Sequence, residues 1–576
     1  MASRSDRNPP ITPPLIDLPI NTHDRGFYDG FSREVTIPAK IIVSLLIMWA
    51  IFFPVSANET LTAANSTIIS AFRGWYVYVV AFFMAICFIL AIIPGTGTLR
   101  IGAQDDRPEF SRFSWFAMLF GAGIGIGLLT YSTGEPLSHF TDNPEIIRGA
   151  VESQSAEAVP SAYMYTFLHW GFAPWATYAL VGLAIGYIAY RRGLPLTIRS
   201  ALAPLFGKSM SGMAGHLVDI VAVVATILGV AVTMGLGVEQ FVAGLARLGL
   251  GDWLLDADGS SSATAVVIAL LVLVGASTLS ALSGVGKGIK WLSNINLGLS
   301  FLLLTLFLVA GSTVFGLELL GFGILDYLRT LVPNALTIFQ DTGSPVSGEL
   351  VQWQLDWSVF YWAWWIAFAP FVGMFIARIS RGRTIREYVL GVVLVPSLMC
   401  FVWMTLVGGT AIDLELSGAA QGAIVNTGMA DQLYATLAVL LDPAFAYIFS
   451  GLIVILLMTY LITSADSAIL IVNTINGAGD TEGERRWHIL FWGAALAFVV
   501  GSMLILGGID AIRITMIIGA LPFSLVAALM GVSIVKAVVF DLIRRHYGVP
   551  TTEAGCAAML AEEERKAAMP KKPGTA

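Results

Sequence analysis

Residues 356–388 read DWSVFYWAWWIAFAPFVGMFIARISRGRTIREY. Four tryptophans (Trp357, Trp362, Trp364 and Trp365) fall within nine residues, an apolar run follows, and four arginines (Arg378, Arg381, Arg383 and Arg386) fall within another nine. If the run is helical, Trp362, Trp365 and Phe368 share one face, while Trp357, Tyr361 and Trp364 line its neighbour. So many tryptophans beside so many arginines are unusual in an apolar run, and the rest of the chain is read from what that aromatic face could hold.

The chain has 576 residues, of which 56% are hydrophobic and 12% charged, too few charges to cover a soluble globule. The fold class is therefore all-α, a polytopic membrane protein. Net charge is −7 and the basic residues are clustered, which gives no case for nucleic acid as a partner. Cys87, Cys400 and Cys556 lie far apart and suggest neither a disulfide framework nor a metal site, and no cofactor is implied. The first 36 to 40 residues are polar and Pro-rich without the pattern of a signal peptide, and read as a retained, mostly disordered tail.

Crossing a hydrocarbon core of about 30 Å takes roughly 20 helical residues. Stretches of that kind fall at about 37–54, 74–94, 113–134, 163–190, 215–246, 263–284, 291–315, 357–378, 387–411, 443–473, 487–508 and 511–540, about twelve spans in all. Basic residues stay on the cytoplasmic side. With the first tail inside, the inner loops hold Arg100, Arg107 and Arg112, then Arg191, Arg192, Arg199 and Lys208, Lys287 and Lys290, the four arginines of the opening stretch, and Arg485 and Arg486. The outer segments are acidic, as in Asp142, Glu145, Glu152 and Glu157. The expectation is a multi-pass protein of the cell (inner) membrane, in contact with lipid, with both termini cytoplasmic. Between Gly316 and Trp353 the chain is too polar to span, but apolar residues at helical spacing predict an amphipathic helix outside the bundle.

The third span contains FGAGIGIGLLTYSTGEP, with glycines at 121, 123, 125, 127 and 134. Packing would place glycine on one face. This run puts it all round the helix, which favours a break that frees backbone carbonyls toward a cavity or ion. On the fourth span Trp170, Trp175 and Tyr178 lie within an arc of about 140° and can face one cavity, although such residues also form interfacial belts. His169 reads as packed and hydrogen-bonded. Two aromatic clusters beside a breakable helix suggest a cage for a quaternary ammonium, whose methyl groups offer nothing to hydrogen-bond and whose diffuse charge suits ring faces. On the tenth span Thr463 and Ser464 either bond the preceding turn or supply hydroxyl oxygens to a hard cation such as Na⁺. Asp466 reads as a helix-terminus hydrogen-bonder.

These motifs resemble the betaine/carnitine/choline transporters. The stretch from Trp357 to Glu387 is similar to the family signature, and GAGIGIG (121–127) with the following EP, HWGFAPWATYAL (169–180) and TSADSA (463–468) come in the expected order, over roughly residues 35–545. The resemblance implies a LeuT-like core of two inverted five-helix repeats, 113–315 and 357–540, preceded by two peripheral helices in 37–112 and separated by the surface helix in 316–356, with tails at 1–36 and 541–576. It also implies a homotrimer. Substrate would be held by Trp170, Trp175, Tyr178, Trp365 and Phe368, beside Gly123, Gly125 and Gly127. Sodium would be held by the Thr463 and Ser464 hydroxyls with carbonyls near Gly121, Ile124 and Tyr460. Of a second sodium site Thr226 and Phe371 match, but Val230 stands where a second threonine is expected. Phe368 replaces a tryptophan of the betaine carriers, and Gly127 stands where choline-type members carry an acid. The resulting expectation is a sodium-coupled importer of a methylated onium osmolyte, glycine betaine first, working by alternating access. The alternatives are sodium-independent exchange of the carnitine type, or uptake of a sulfonium or methylamine.

Overall fold

The computed structural model describes residues 12–123, 125–257, 259–283, 290–480 and 486–568. Among them every regular element is helical, with only isolated bridges between extended residues. In chain order the helices are α1 (Arg33–Phe52), α2 (Pro54–Ile92), α3 (Arg112–Gly123), α4 (Ile126–Thr141), the single turn α5 (Pro144–Ile147), α6 (Ala158–Trp170) and α7 (Phe172–Arg192). There follow α8 (Ala203–Phe206), α9 (Met213–Arg247), α10 (Ala263–Ser283), α11 (Lys290–Ala310), α12 (Thr313–Leu336), α13 (Pro345–Gln354), α14 (Phe360–Ile379) and α15 (Ile385–Leu416). The chain ends with α16 (Met429–Leu440), α17 (Pro443–Asn476), α18 (Arg486–His546) and α19 (Glu553–Ala568).

Ten helices among the described residues are long and apolar enough to cross a membrane, so the chain is a multi-pass membrane protein. The count differs from twelve at two places, both marked by glycine. The run at 121–127 divides the third expected span into α3 and α4, each short of the length a crossing takes. Helix α18 runs through the eleventh and twelfth expected spans as 61 residues whose register is lost at Gly507 and Gly508, where φ is +67° at Gly508.

Helices α7 and α14, which carry the two aromatic clusters, approach backbone to backbone. A methyl group placed on Gly182 would come within 2.7 Å of the Gly373 carbonyl oxygen, so only glycine permits that contact. The arginines that end the opening stretch tie it down. Arg381 pairs with Asp106 at 3.0 Å, Arg383 lies 4.0 Å over the Trp115 ring, and Arg386 donates to the carbonyls of Ala91 and Ile93. A short antiparallel ladder (Ile101 N to Arg383 O, Ile385 N to Leu99 O) joins the α14–α15 turn to the segment between α2 and α3. Helix α12 packs on α6 and α15 through Gly316, Gly323, Tyr327 and Leu331, and leaves Val314, Leu317, Phe322, Leu325 and Val332 exposed on its other side.

The first tail differs from its expected disorder over residues 12–32. Leu18 and Phe31 are buried, Phe31 stacks on His488 at 4.0 Å, and the Ser32 N–H donates to Asn476. Apolar residues spaced through a polar stretch supply this anchoring, which composition alone does not convey. The second tail docks at the same end of the bundle. Asp541 takes hydrogen bonds from Tyr187, Arg192 and Arg544, Arg191 donates to Thr551, and Cys556 on α19 is buried.

Candidate functional site

The break between α3 and α4 opens the middle of the bundle. Gly125 is extended (φ −148°, ψ −162°) rather than helical, so the chain stops and restarts as a helix beside α14 and α17. Ile124, expected to lend a carbonyl to sodium, lies outside the described residues, and Gly123 is the last residue of α3. A cavity of about 680 Å³ occupies this region. It runs from Gly127, Trp170 and Trp364 in the middle of the bundle to Glu109 and Arg378, at the end where both tails dock.

Three of the expected cage residues stand on its wall: Trp170, Tyr178 and Trp365. Trp365 is the hub, with ring centroids 5.6 Å from Trp170, 5.7 Å from Trp175 and 4.9 Å from Tyr178. Trp175 is fully buried against Tyr178 and Trp365 rather than on the wall. Phe368 and Phe371 follow Trp365 along α14, both on the wall, with centroids 5.6 Å apart.

Trp364 is on the wall too, although helical periodicity assigns it to the neighbouring face with Trp357 and Tyr361. Its partner is Gly127, where a methyl group would come within 2.9 Å of the Trp364 ring and 3.4 Å of the Trp170 ring. The bare backbone at Gly127 is what lets these two indoles meet the cavity.

Across the cavity stand Gly121, Gly125, Tyr460, Thr463 and Ser464, so the glycine break and the hydroxyl pair face the same space. The Thr463 hydroxyl donates to the carbonyls of Thr459 and Tyr460 at 3.0 and 3.2 Å and accepts from Asn296 at 3.1 Å. Thr226 bonds back to Ala222 at 2.8 Å and is off the wall, whereas Thr233, two turns on, is on it with a hydroxyl that finds no hydrogen bond among the described residues. Sequence spacing missed Thr233 because nothing in the local pattern distinguishes it from a back-bonded hydroxyl. Asp466 lies mid-way along the second half of α17, fully buried, and accepts from Ser280 on α10 at 2.6 Å, so it is an interior acid rather than a helix-terminus one.

The far side of the cavity is roofed by aromatic rings. Tyr131 packs on Trp170, Tyr361 and Trp364, and Arg513 donates to the Tyr131 hydroxyl at 3.0 Å while its guanidinium lies 4.5 Å from the Phe360 ring centre. Behind the roof is a polar cluster that sequence reading missed. Glu135 is fully buried and takes hydrogen bonds from the Trp170 indole (2.6 Å), Tyr361, His169 (2.7 Å) and His139 (3.3 Å). His169 is hydrogen-bonded as expected, also to Ser358 at 3.0 Å, but His139 and His488 are equally interior histidines.

Comparison with known proteins gives one family. A family model described as betaine/carnitine/choline family transporter matches residues 34–541. The chain is 37% identical to the glycine betaine transporter OpuD of Bacillus subtilis, over 86% of this chain and 92% of that protein. It is 36% identical to the osmo-independent choline transporter BetT1 of Acinetobacter baylyi (87% and 92%), and 39% identical to the high-affinity choline transport protein of Escherichia coli (82% and 67%).

Proposed function

The chain belongs to the betaine/carnitine/choline transporter family, and from that premise we propose that it is a sodium-coupled importer of a methylated onium compound, with glycine betaine as the leading substrate. The observation that carries this reading is the wall formed by Trp170, Tyr178, Trp364 and Trp365 around Gly127. Ring faces replace the water of a trimethylammonium group at about 0.5–2 kcal/mol per contact, which after ordering costs corresponds to micromolar to millimolar binding. Sodium sits, in this reading, between the Thr463 and Ser464 hydroxyls and carbonyls of the α3–α4 break, and all of these described groups border the same cavity as the rings.

Choline is the second reading, favoured by the names of two relatives. Against it, the space at Gly127 is too tight beside Trp364 for an acidic side chain that would compensate a substrate without a carboxylate of its own. We further propose twelve crossings, counting α3 with α4 as one and α18 as two, arranged as two inverted five-helix repeats after α1 and α2. Both tails are cytoplasmic, so the cavity opens inward, and the protein is a trimer of identical chains. Transport would proceed as α3, α4, α6, α7, α14 and α15 rock against the remaining helices.

The test is uptake of radiolabelled glycine betaine into proteoliposomes. Uptake driven by an inward sodium gradient, with a KM raised at least tenfold by Trp365→Ala, is expected. Uptake indifferent to both sodium and that substitution would sink the proposal.

A further inference from the structure

We propose that Glu135 is a positioning residue that sets the preference of the aromatic wall for positive charge, acting through the Trp170 indole; this rests on the onium reading above. Glu135 lies on α4 with no part exposed, and each of its oxygens is served twice. Oε2 accepts from Trp170 Nε1 and the Tyr361 hydroxyl; Oε1 accepts from His169 Nδ1 and His139 Nε2. With Nδ1 donating, His169 Nε2 is left to accept from Ser358 Oγ, so one tautomer satisfies the whole chain of bonds. Four donors converging on two oxygens is the environment of an ionised carboxylate, since a protonated one would turn a hydrogen toward one of them.

No lysine or arginine among the described residues pairs with Glu135, and Arg513 reaches the cluster only through Tyr131. The negative charge therefore rests on the N–H edge of an indole whose ring is on the cavity wall. An indole N–H is the positive edge of the ring quadrupole; giving that hydrogen to an anion leaves the face more negative, and the anion itself attracts a cation across the ring in a medium of low dielectric. The indole N–H of Trp365, by contrast, finds no partner among the described residues. The arrangement selects a cation without placing an acid on the wall, where it would repel the carboxylate of a zwitterion.

A clasp that merely joined α4, α6 and α14 would make the same bonds, so the test must separate the two roles. The full chain in lipid nanodiscs is examined by ultraviolet resonance Raman for the Trp170 N–H band, identified by difference against Trp170→Phe. The same samples are titrated with glycine betaine and with its uncharged-head isostere 3,3-dimethylbutanoate. Glu135→Gln is expected to shift the band toward a weaker hydrogen bond and to weaken betaine binding roughly tenfold, the order of one cation–π contact, with less than a twofold change for the isostere. Tyr361→Phe removes a competing donor from Oε2; it is expected to strengthen the Trp170 bond and to leave betaine binding equal or tighter, and it serves if Glu135→Gln does not fold. An unmoved band, or equal weakening of both ligands by either variant, overturns the proposal. Wild-type protein that binds no onium compound sinks the transport reading instead, and the N–H band still decides whether Glu135 holds Trp170.

Discussion

Gly127 and Phe368 show what a single residue decides at this site. A methyl group on Gly127 would press the Trp364 ring at 2.9 Å, and that ring is enclosed by Tyr131, Phe360 and Tyr361, so it has little room to yield. Gly127→Ala is expected to lower betaine uptake at least tenfold while leaving the thermal unfolding midpoint within a few degrees, because the crowding falls on the cavity wall; equal uptake would show that the rings re-pack freely. Phe368→Trp restores the stronger cation-binding ring and is expected to lower KM a few-fold in the same assay. The residue scale was partly legible beforehand. Helical spacing puts Trp170, Trp175 and Tyr178 in one arc and Trp362, Trp365 and Phe368 on one face. Yet Trp170, Tyr178, Trp365 and Phe368 line the cavity while Trp175 and Trp362 are buried away from it, so spacing narrows the choice without making it. Trp364 and Glu135 are not reached by spacing at all, because their roles depend on which other helix lies opposite: Gly127 makes room for the first, and the N–H of Trp170 meets the second.

At the scale of helices, glycine does two different jobs, and only one can be read locally. The alternation at 121–127 puts glycine on every face of the third expected span, and the helix does stop there, with Gly125 extended. Gly182 stands four residues before Gly186, a spacing that allows a close helix contact, but that its partner is Gly373 on α14 emerges only when the two helices meet. That contact holds Tyr178 and Trp365 at 4.9 Å. Gly182→Val is accordingly expected to cost about 2–3 kcal/mol through overpacking against backbone, which cannot move aside as a side chain can. The measurement is the thermal midpoint of purified protein, with and without betaine; an unchanged midpoint would place the close approach elsewhere. The long run from Arg486 to His546 carries the opposite lesson. Gly507 and Gly508 interrupt it beside Asp510 and Arg513, at the place where the sequence divides 487–508 from 511–540, so glycine and charge together mark this break locally.

Across the whole molecule the tails belong to the folded body at one end. Asp541 is the fulcrum there, accepting from Tyr187, Arg192 and Arg544 with no exposure of its own. Asp541→Asn leaves buried guanidinium groups without their anion and is expected to destabilise the protein by roughly 3–5 kcal/mol. Burial also pushes the Cys556 thiol above its ordinary pKa, which keeps it from the reactive thiolate form. Maleimide should therefore label Cys556 slowly in the wild type and rapidly in Asp541→Asn, with Cys87 and Cys400 buried in both. The docking of residues 12–32 was not legible, because its few apolar anchors are diluted by proline and charge and their sockets lie on helices hundreds of residues away. The ladder between Leu99–Ile101 and Arg383–Ile385 has a mechanical meaning as well. It is a short rod between two turns. With the side-chain ties of Arg381 to Asp106 and of Arg383 to the Phe110 carbonyl and the Trp115 ring, it makes any stroke of α14 and α15 draw the start of α3 along. Arg100 and Thr384 face each other across that rod as a non-hydrogen-bonded pair, the geometry that best accepts a disulfide. Cysteines at both positions, once oxidised, should leave the stroke free and uptake intact, because they weld two parts that already travel together.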